Sequence, residues 1–266
     1  MSTSPEPVLI AVANQNGGVG KTTTAMNLGA SLAESKDSVL LVDLDPQGTL
    51  TIAHGLDPDE CQTTIYDALV QGADVRTPIV RTENGPDLIP ANLDLAAAEV
   101  ELMGRLARET TLKDVVAPVK RDYRFIIVDC PPSLGLLTIN ALVAADAVIV
   151  PVATQYLRFR GMKLLLDTLD QVKTKFNREL LPPRILPSMF QGRTVHSREV
   201  LEELRSTFGG QVFDTVIRHT VRLAEAPMSG RSILHFENAS PHADAFRQLA
   251  EEVRSWLTPD ARNGRQ

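Results

Sequence analysis

The stretch Val8-Leu-Ile-Ala-Val-Ala-Asn-Gln-Asn-Gly-Gly-Val-Gly-Lys-Thr-Thr-Thr24 decides how the rest of the chain is read. Val8 to Ala13 is an apolar run with the length of a fully buried parallel strand, and Thr22 to Glu34 carries the apolar spacing of a helix packed on a sheet. The loop between them is therefore the expected site. Gly17, Gly18 and Gly20 permit a tight turn in which successive N–H groups point inward, at the positive end of the following helix, an arrangement that suits phosphate oxygens. Lys21 is placed to reach β- and γ-phosphates, and the Thr22 hydroxyl to sit on Mg²⁺. The common form of such a loop begins with a glycine five residues before the lysine-preceding glycine, and here that position is Gln15.

Composition sets the frame. The 266 residues suffice for one large α/β domain, and 43% hydrophobic with 23% charged residues is ordinary for a soluble globular chain. Two cysteines, Cys61 and Cys130, offer neither a disulfide framework nor a C-x-x-C pair, which suits a reducing cytoplasm. No apolar stretch approaches the ~18 residues of a membrane span, and Met1 to Pro7 lacks the pattern of a secretory signal. The net charge is −6, yet Thr154 to Arg222 holds twelve basic against seven acidic residues. That charge pattern suits either a local basic face on an acidic protein or a set of solvated helix faces, and Arg193, Arg218 and Arg222 are the candidates for DNA contact.

Strand and helix signals alternate along the chain, predicting an α/β fold, a single-domain P-loop NTPase with a mainly parallel central sheet flanked by helices. Strands are expected at 8–13, 38–43, 86–90, 123–129, 147–152 and 184–190, with a weaker one at 211–217. The run ending Asp43-Leu-Asp45 and the run ending Asp129-Cys-Pro-Pro place carboxylates at the carboxyl ends of buried strands, where ligands bind in open α/β sheets. Asp129 has the place and chemistry of a carboxylate that holds Mg²⁺ directly or through water. A helical stretch is expected from Leu93 to about Leu106, others from Gln155–Gly161 to near Phe176, at Val195–Phe208 and at His242–Leu257.

Four stretches together resemble the ParA/MinD family of ATPases. Gly17-Gly18-Val19-Gly20-Lys21-Thr22-Thr23 is similar to its deviant Walker A box, K-G-G-x-G-K-[ST], with Asn16 in place of the leading lysine. Val42-Asp-Leu-Asp-Pro-Gln-Gly48, Phe125-Ile-Ile-Val-Asp-Cys-Pro-Pro-Ser-Leu-Gly135 and Ile217 to Ile233 resemble the family's later motifs, although Arg218 and His219 stand where proline and arginine are more usual. The resemblance runs from Val8 to Trp256. It implies ATP and Mg²⁺ as cofactors, with nucleotide contacts from Asn16, Gly17, Gly18, Val19, Gly20, Lys21, Thr22 and Thr23. It further implies Thr22, Asp43 and Asp129 around the metal, and Lys21 and Asp45 as the catalytic pair, Asp45 orienting the attacking water. It also implies a homodimer closed on ATP that binds double-stranded DNA without sequence preference over the nucleoid and is released by a ParB-like activator, partitioning a chromosome origin or plasmid. Another cargo, such as carboxysomes, or a hydrolysis-weak ATP-switched DNA binder are the alternatives. No membrane partner is expected, because the C-terminal stretch lacks a basic amphipathic helix, and no helix-turn-helix precedes Val8. Domain boundaries of 8–257, with disordered ends at 1–7 and 258–266, complete the expectation.

Overall fold

The computed structural model describes residues 6–82, 85–155 and 159–258, with side chains in the last segment from 162 onward. The expected disordered ends fall largely outside this range. Six strands, β1 (Val8–Val12), β2 (Val39–Asp43), β3 (Asp87–Ile89), β4 (Phe125–Asp129), β5 (Ala147–Ala153) and β6 (Arg184–Ser188), form one sheet in the order β3-β2-β4-β1-β5-β6. Every ladder between them is parallel, so the connections must cross over the sheet faces. The helices are α1 (Lys21–Glu34), α2 (Thr49–Ala53), α3 (Leu95–Met103), α4 (Thr111–Val116), α5 (Leu136–Ala144), α6 (Phe159–Lys175), α7 (Val195–Phe208), α8 (Arg222–Met228), α9 (Ile233–Phe236) and α10 (Pro241–Trp256).

The pleat divides the apolar residues of each strand between two cores. In β1 and just beyond it, Leu9, Ala11 and Ala13 pack into the core formed with α3 to α7. Val8, Ile10 and Val12 pack into the other, with α1, α2 and α8 to α10. Burial on both faces explains why the strands read as continuous apolar runs rather than alternating ones. Both cysteines are free, Cys130 buried and Cys61 half-buried.

The expected strand at 211–217 does not join the sheet as a ladder. Among the described residues it meets β6 through the isolated bridge Ile185↔Val212, with Phe190↔Arg218 just past it, and its Phe213 and Ile217 N–H groups donate to the Ile185 and Pro187 carbonyls, each at 2.9 Å. The physical reason is competition for its donors: the Asp214 and Thr215 N–H groups donate to the Glu252 carboxylate of α10, at 2.9 and 2.8 Å. The predicted helix from Leu93 is shorter than expected, and a single π-turn forms over Asp67–Gln71.

The strand order positions the site. The chain moves outward from β1 through β2 to β3, returns to β4 beside β1, and then crosses to β5 on β1's other side. The crevice at the carboxyl ends of β1, β2 and β4 lies at this reversal of direction, where open α/β sheets bind ligands.

Candidate functional site

Residues 13–20 leave β1 and turn back into α1. Gly18 and Gly20 have φ of 70° and 87°, a backbone region that costs glycine nothing. The loop is anchored from both sides. Asn14 Nδ2 donates to the Pro151 carbonyl at 2.7 Å, and Ser188 Oγ donates to the Val19 carbonyl at 2.8 Å. Among the described residues, no protein acceptor takes the N–H groups of Gly17 through Thr23; the first bonded one in α1 is Thr24, which donates to Gly20 at 2.9 Å. A concave run of free donors at a helix N-terminus is an anion cradle.

Lys21, only 6% exposed, sits beneath this cradle. Its ammonium donates to the Asn16 carbonyl at 3.0 Å, while the Asn16 N–H donates to Asn14 Oδ1 at 2.9 Å. Burial pulls the Lys21 pKa down, opposed by the nearby charges of Asp129 and Asp45.

Asp43 and Asp129 face each other in register on β2 and β4, and both are fully buried. Their environments differ. Asp43 Oδ2 accepts from the Thr51 N–H and hydroxyl, each at 2.8 Å, and Oδ1 accepts from the Asp45 N–H at 3.1 Å. Asp43, expected at the metal, therefore braces the loop that presents Asp45. Both Asp129 oxygens are buried without a well-formed hydrogen bond. Burial, then the charge of Asp43, lifts the Asp129 pKa well above the carboxylate range, with the Thr22 hydroxyl and Lys21 pulling the other way. An unbonded buried carboxylate facing a hydroxyl and an ammonium is a donor set that fits a hard divalent cation or its water shell.

Asp45 is half-buried at the mouth of the crevice, its Oδ1 accepting from the Gln47 N–H at 3.0 Å. The turn closes at Gly48, with φ of 59°, where an added Cβ would stand 3.0 Å from the Ala91 carbonyl oxygen. A larger residue there would push the Asp45 loop off β3's exit.

A pH test separates the brace from its neighbours. Burial lifts Asp43 from 3.8 to about 6. The native state thus holds this proton more tightly than the unfolded chain, so the group favours folding below about pH 4 and that advantage is lost as pH rises toward about 6, a swing of about 3 kcal/mol. The melting temperature of wild type relative to Asp43→Asn should accordingly fall between pH 4 and 7, within the ordinary range of aspartate linkage. A difference independent of pH would contradict the burial account.

Beside the cradle a cavity of about 160 Å³ is lined by Thr23, Thr24, Met189, Ile217, His219 and Leu223. Arg218, exposed, stands on its rim, brought there by the Phe190↔Arg218 bridge and the His219 N–H bond to the Phe190 carbonyl at 3.0 Å. Arg193 is exposed in the turn after Phe190, and Arg222 is exposed and paired with Glu225 at 2.9 Å. All three belong to segments that follow β6, whereas the P-loop, Asp45 and Asp129 converge at the sheet centre. Arg158 lies outside the described residues, as does the Arg160 side chain; Lys163 is exposed on α6. Asn14, Thr51 and Ser188 carry no motif signal, because each acts on the site through a contact that only the fold creates.

A parallel sheet with a glycine-rich loop between its first strand and first helix, flanked by strand-end aspartates, defines a P-loop NTPase. The AAA domain family matches residues 8–181. The chain is 45% identical to the sporulation initiation inhibitor protein Soj of Bacillus subtilis, over 92% of this chain and 97% of that one. It is 41% identical to the chromosome partitioning protein ParA of Myxococcus xanthus, over 94% and 89%. Among solved structures, cobyrinic acid a,c-diamide synthase from Mycobacterium smegmatis with bound ADP and magnesium superposes with a TM-score of 0.83 at 39% identity, covering 94% of this chain and 95% of that one. The chain belongs to the ParA/Soj family of partition ATPases.

Proposed function

We propose that the chain binds ATP with Mg²⁺, hydrolyses it slowly to ADP and phosphate, and uses the nucleotide state to control dimerisation and DNA binding. The observation that carries this reading is the run of free N–H groups from Gly17 to Thr23 over a buried lysine, opposite the unbonded Asp129 carboxylate. In this reading Asn16, Gly17, Gly18, Val19, Gly20, Lys21, Thr22 and Thr23 hold the phosphates. Thr22 and Asp129 hold the metal, with Asp43 behind them, and the cavity at Thr23 and Met189 takes the base. Held there, Mg²⁺ would supply charge neutralisation to the triphosphate. Asp45 accepts a hydrogen bond from the attacking water; the water oxygen bonds to the γ-phosphorus as the bond to the β–γ bridging oxygen breaks, the water's protons leave with the phosphate that is released, and Lys21 offsets the charge on the departing ADP.

The ATP-bound form is then a homodimer that binds double-stranded DNA without sequence preference and is released by a ParB-like activator, positioning a chromosome origin or plasmid over the nucleoid. The likeness to ParA and Soj supports this cycle. No helix among the described residues is long and apolar enough to cross a membrane.

The test is DNA binding measured by anisotropy with ATP, ADP or no nucleotide on unrelated duplexes across a salt series. Binding should require ATP, show no sequence preference and weaken steeply with salt, because a basic patch on an acidic chain acts through phosphate contacts and counterion release. Glutamate at Arg193, Arg218 or Arg222 should weaken binding equally on every duplex, each lowering the salt slope by about 1. A preference for one sequence that survives high salt would overturn the reading.

One observation favours a second reading, an ATP-switched binder that hydrolyses little. Position 16 presents an amide and gives its carbonyl to Lys21, so the loop lacks a second cation. Phosphate release by Asn16→Lys separates the two: a large gain in turnover favours the switch, and no change favours the ATPase as written.

A further inference from the structure

Three hydroxyls outside the family-like stretches are buried where the glycine loop, the exits of β5 and β6 and the start of α7 meet. Ser188, Thr154 and Ser197 are 2%, 0% and 1% exposed. Thr154 Oγ1 lies 2.7 Å from Ser197 Oγ and donates to the Ser188 carbonyl at 3.3 Å, beside the Thr154 N–H on the same oxygen at 2.9 Å. Ser197 Oγ accepts the Gln191 N–H at 3.1 Å. Among these contacts only one placement of protons leaves no hydroxyl idle: Ser197 donates to Thr154, and Thr154 donates to the Ser188 carbonyl. Donors therefore run one way, from the Gln191 amide through two hydroxyls to Ser188, in surroundings where successive bonds polarise one another.

At the inner end of this chain of bonds, Ser188 Oγ donates to the Val19 carbonyl at 2.8 Å. That carbonyl shares a planar peptide with the Gly20 N–H, one of the free donors of the cradle. Tilting one tilts the other. At the outer end, the Gln191 carbonyl accepts the Thr194 N–H and hydroxyl, both at 2.9 Å, closing the turn 191–194 in which Arg193 stands exposed. Between the ends lies Met189, a non-glycine residue held at φ of 51°. That left-handed region is costly for a bulky side chain and persists only where the surroundings over-determine it. Here it is held by the bonds to the Ser188 carbonyl on one side and by the Phe190 N–H on the Ile217 carbonyl, at 3.1 Å, on the other.

We infer that Thr154 and Ser197 are positioning residues that couple occupancy of the phosphate cradle to the turn 191–194. An anion on the Gly20 N–H fixes the peptide joining Val19 to Gly20, which holds Ser188 and with it the strained corner at Met189. The two hydroxyls carry that constraint to the Gln191 amide. When the bonds lapse, Met189 has a relaxed backbone region to fall into, so the turn has two arrangements between which the nucleotide selects. The coupling rests on the nucleotide-binding reading above. Its consequence, that Arg193 is set for DNA only when the cradle is filled, rests on the DNA-binding reading as well.

Backbone hydrogen exchange on the full chain, with and without the non-hydrolysable triphosphate AMPPNP and Mg²⁺, reads the turn directly. In wild type the nucleotide should slow exchange of the Gln191 amide at least about fivefold, the lower end of ordinary coupling between sites. Thr154→Val keeps the side-chain shape and the backbone bond to Ser188 but removes the hydroxyl. In it the nucleotide effect on Gln191 should fall below about twofold, while AMPPNP affinity by calorimetry stays within about threefold of wild type. Thr154→Ser should restore the effect. The ratio of duplex affinity with AMPPNP to that without should fall and recover in the same two variants. A merely structural role would raise exchange with and without nucleotide alike and leave both ratios where they were. Protection that came from burial in a nucleotide-bound dimer would likewise survive in Thr154→Val, and an unchanged exchange ratio there overturns the coupling. Ser197→Ala, read at the Thr194 amide, gives the same decision should Thr154→Val melt early. Coupled exchange with duplex affinity indifferent to nucleotide confirms the coupling and overturns the DNA-binding reading instead. Failure of wild type to bind AMPPNP, which calorimetry reports before any exchange is compared, removes the nucleotide reading and the coupling together.

Discussion

Lys21→Ala or Lys21→Gln is expected to cripple nucleotide binding. No other lysine or arginine lies between Asn14 and Thr24, so the cradle has one local cation with which to meet the β- and γ-phosphates. That cation is held in advance, 6% exposed and tied to the Asn16 carbonyl at 3.0 Å. Removing a charge-assisted contact of this kind costs about 1.5–3 kcal/mol or more, which is a loss of roughly ten- to 150-fold in affinity. Isothermal titration of each variant with ATP and Mg²⁺ reads it directly, and undiminished affinity would sink the P-loop reading. The alanine variant carries a second consequence. Asp129 loses the ammonium that opposes its burial, so its proton should be held still more tightly, and whatever metal-dependent binding remains should shift to higher pH.

The second large effect is expected at Asp45, with the opposite signature. Its carboxylate is half-buried and spans no phosphate-side donor; it is presented by the Asp43 brace and the turn to Gly48. Asp45→Ala should therefore bind ATP within a few-fold of wild type and lose turnover by about 10²-fold or more, the usual scale for removing a group that handles the reacting water or proton. Single-turnover phosphate release separates the two steps. The variant should persist as the ATP-bound, DNA-associated form. Loss of ATP binding with a normal rate per bound nucleotide would assign Asp45 to another role.

Most of the sheet was legible because its strands are buried on both faces and so appear as unbroken apolar runs. The P-loop was legible for a related reason: glycines at 18 and 20, both with positive φ, can be read from sequence as backbone requirements. What escaped depends on partners remote in the chain. The apolar pattern of 211–217 suits a strand, and nothing local announces that Glu252 will take two of its N–H groups. Helix α4 is short and draws the Leu112 N–H bond from the Asn140 side chain, at 3.0 Å, rather than from a capping residue of its own. Asp43 reads as one of two similar aspartates, and only the contacts to Thr51 set it apart from Asp45.

The hydrogen bond from Ser188 to the carbonyl of Val19 joins residues 169 positions apart. During synthesis the glycine loop leaves the ribosome long before β6 exists to steady it. At about 5–20 residues per second, that interval is roughly 10–30 s. A nascent chain in that window has the phosphate-binding residues without the clamp that orders their carbonyls, so full affinity for nucleotide arrives late. The loop thus reaches its final order only once the far edge of the sheet has been translated and paired.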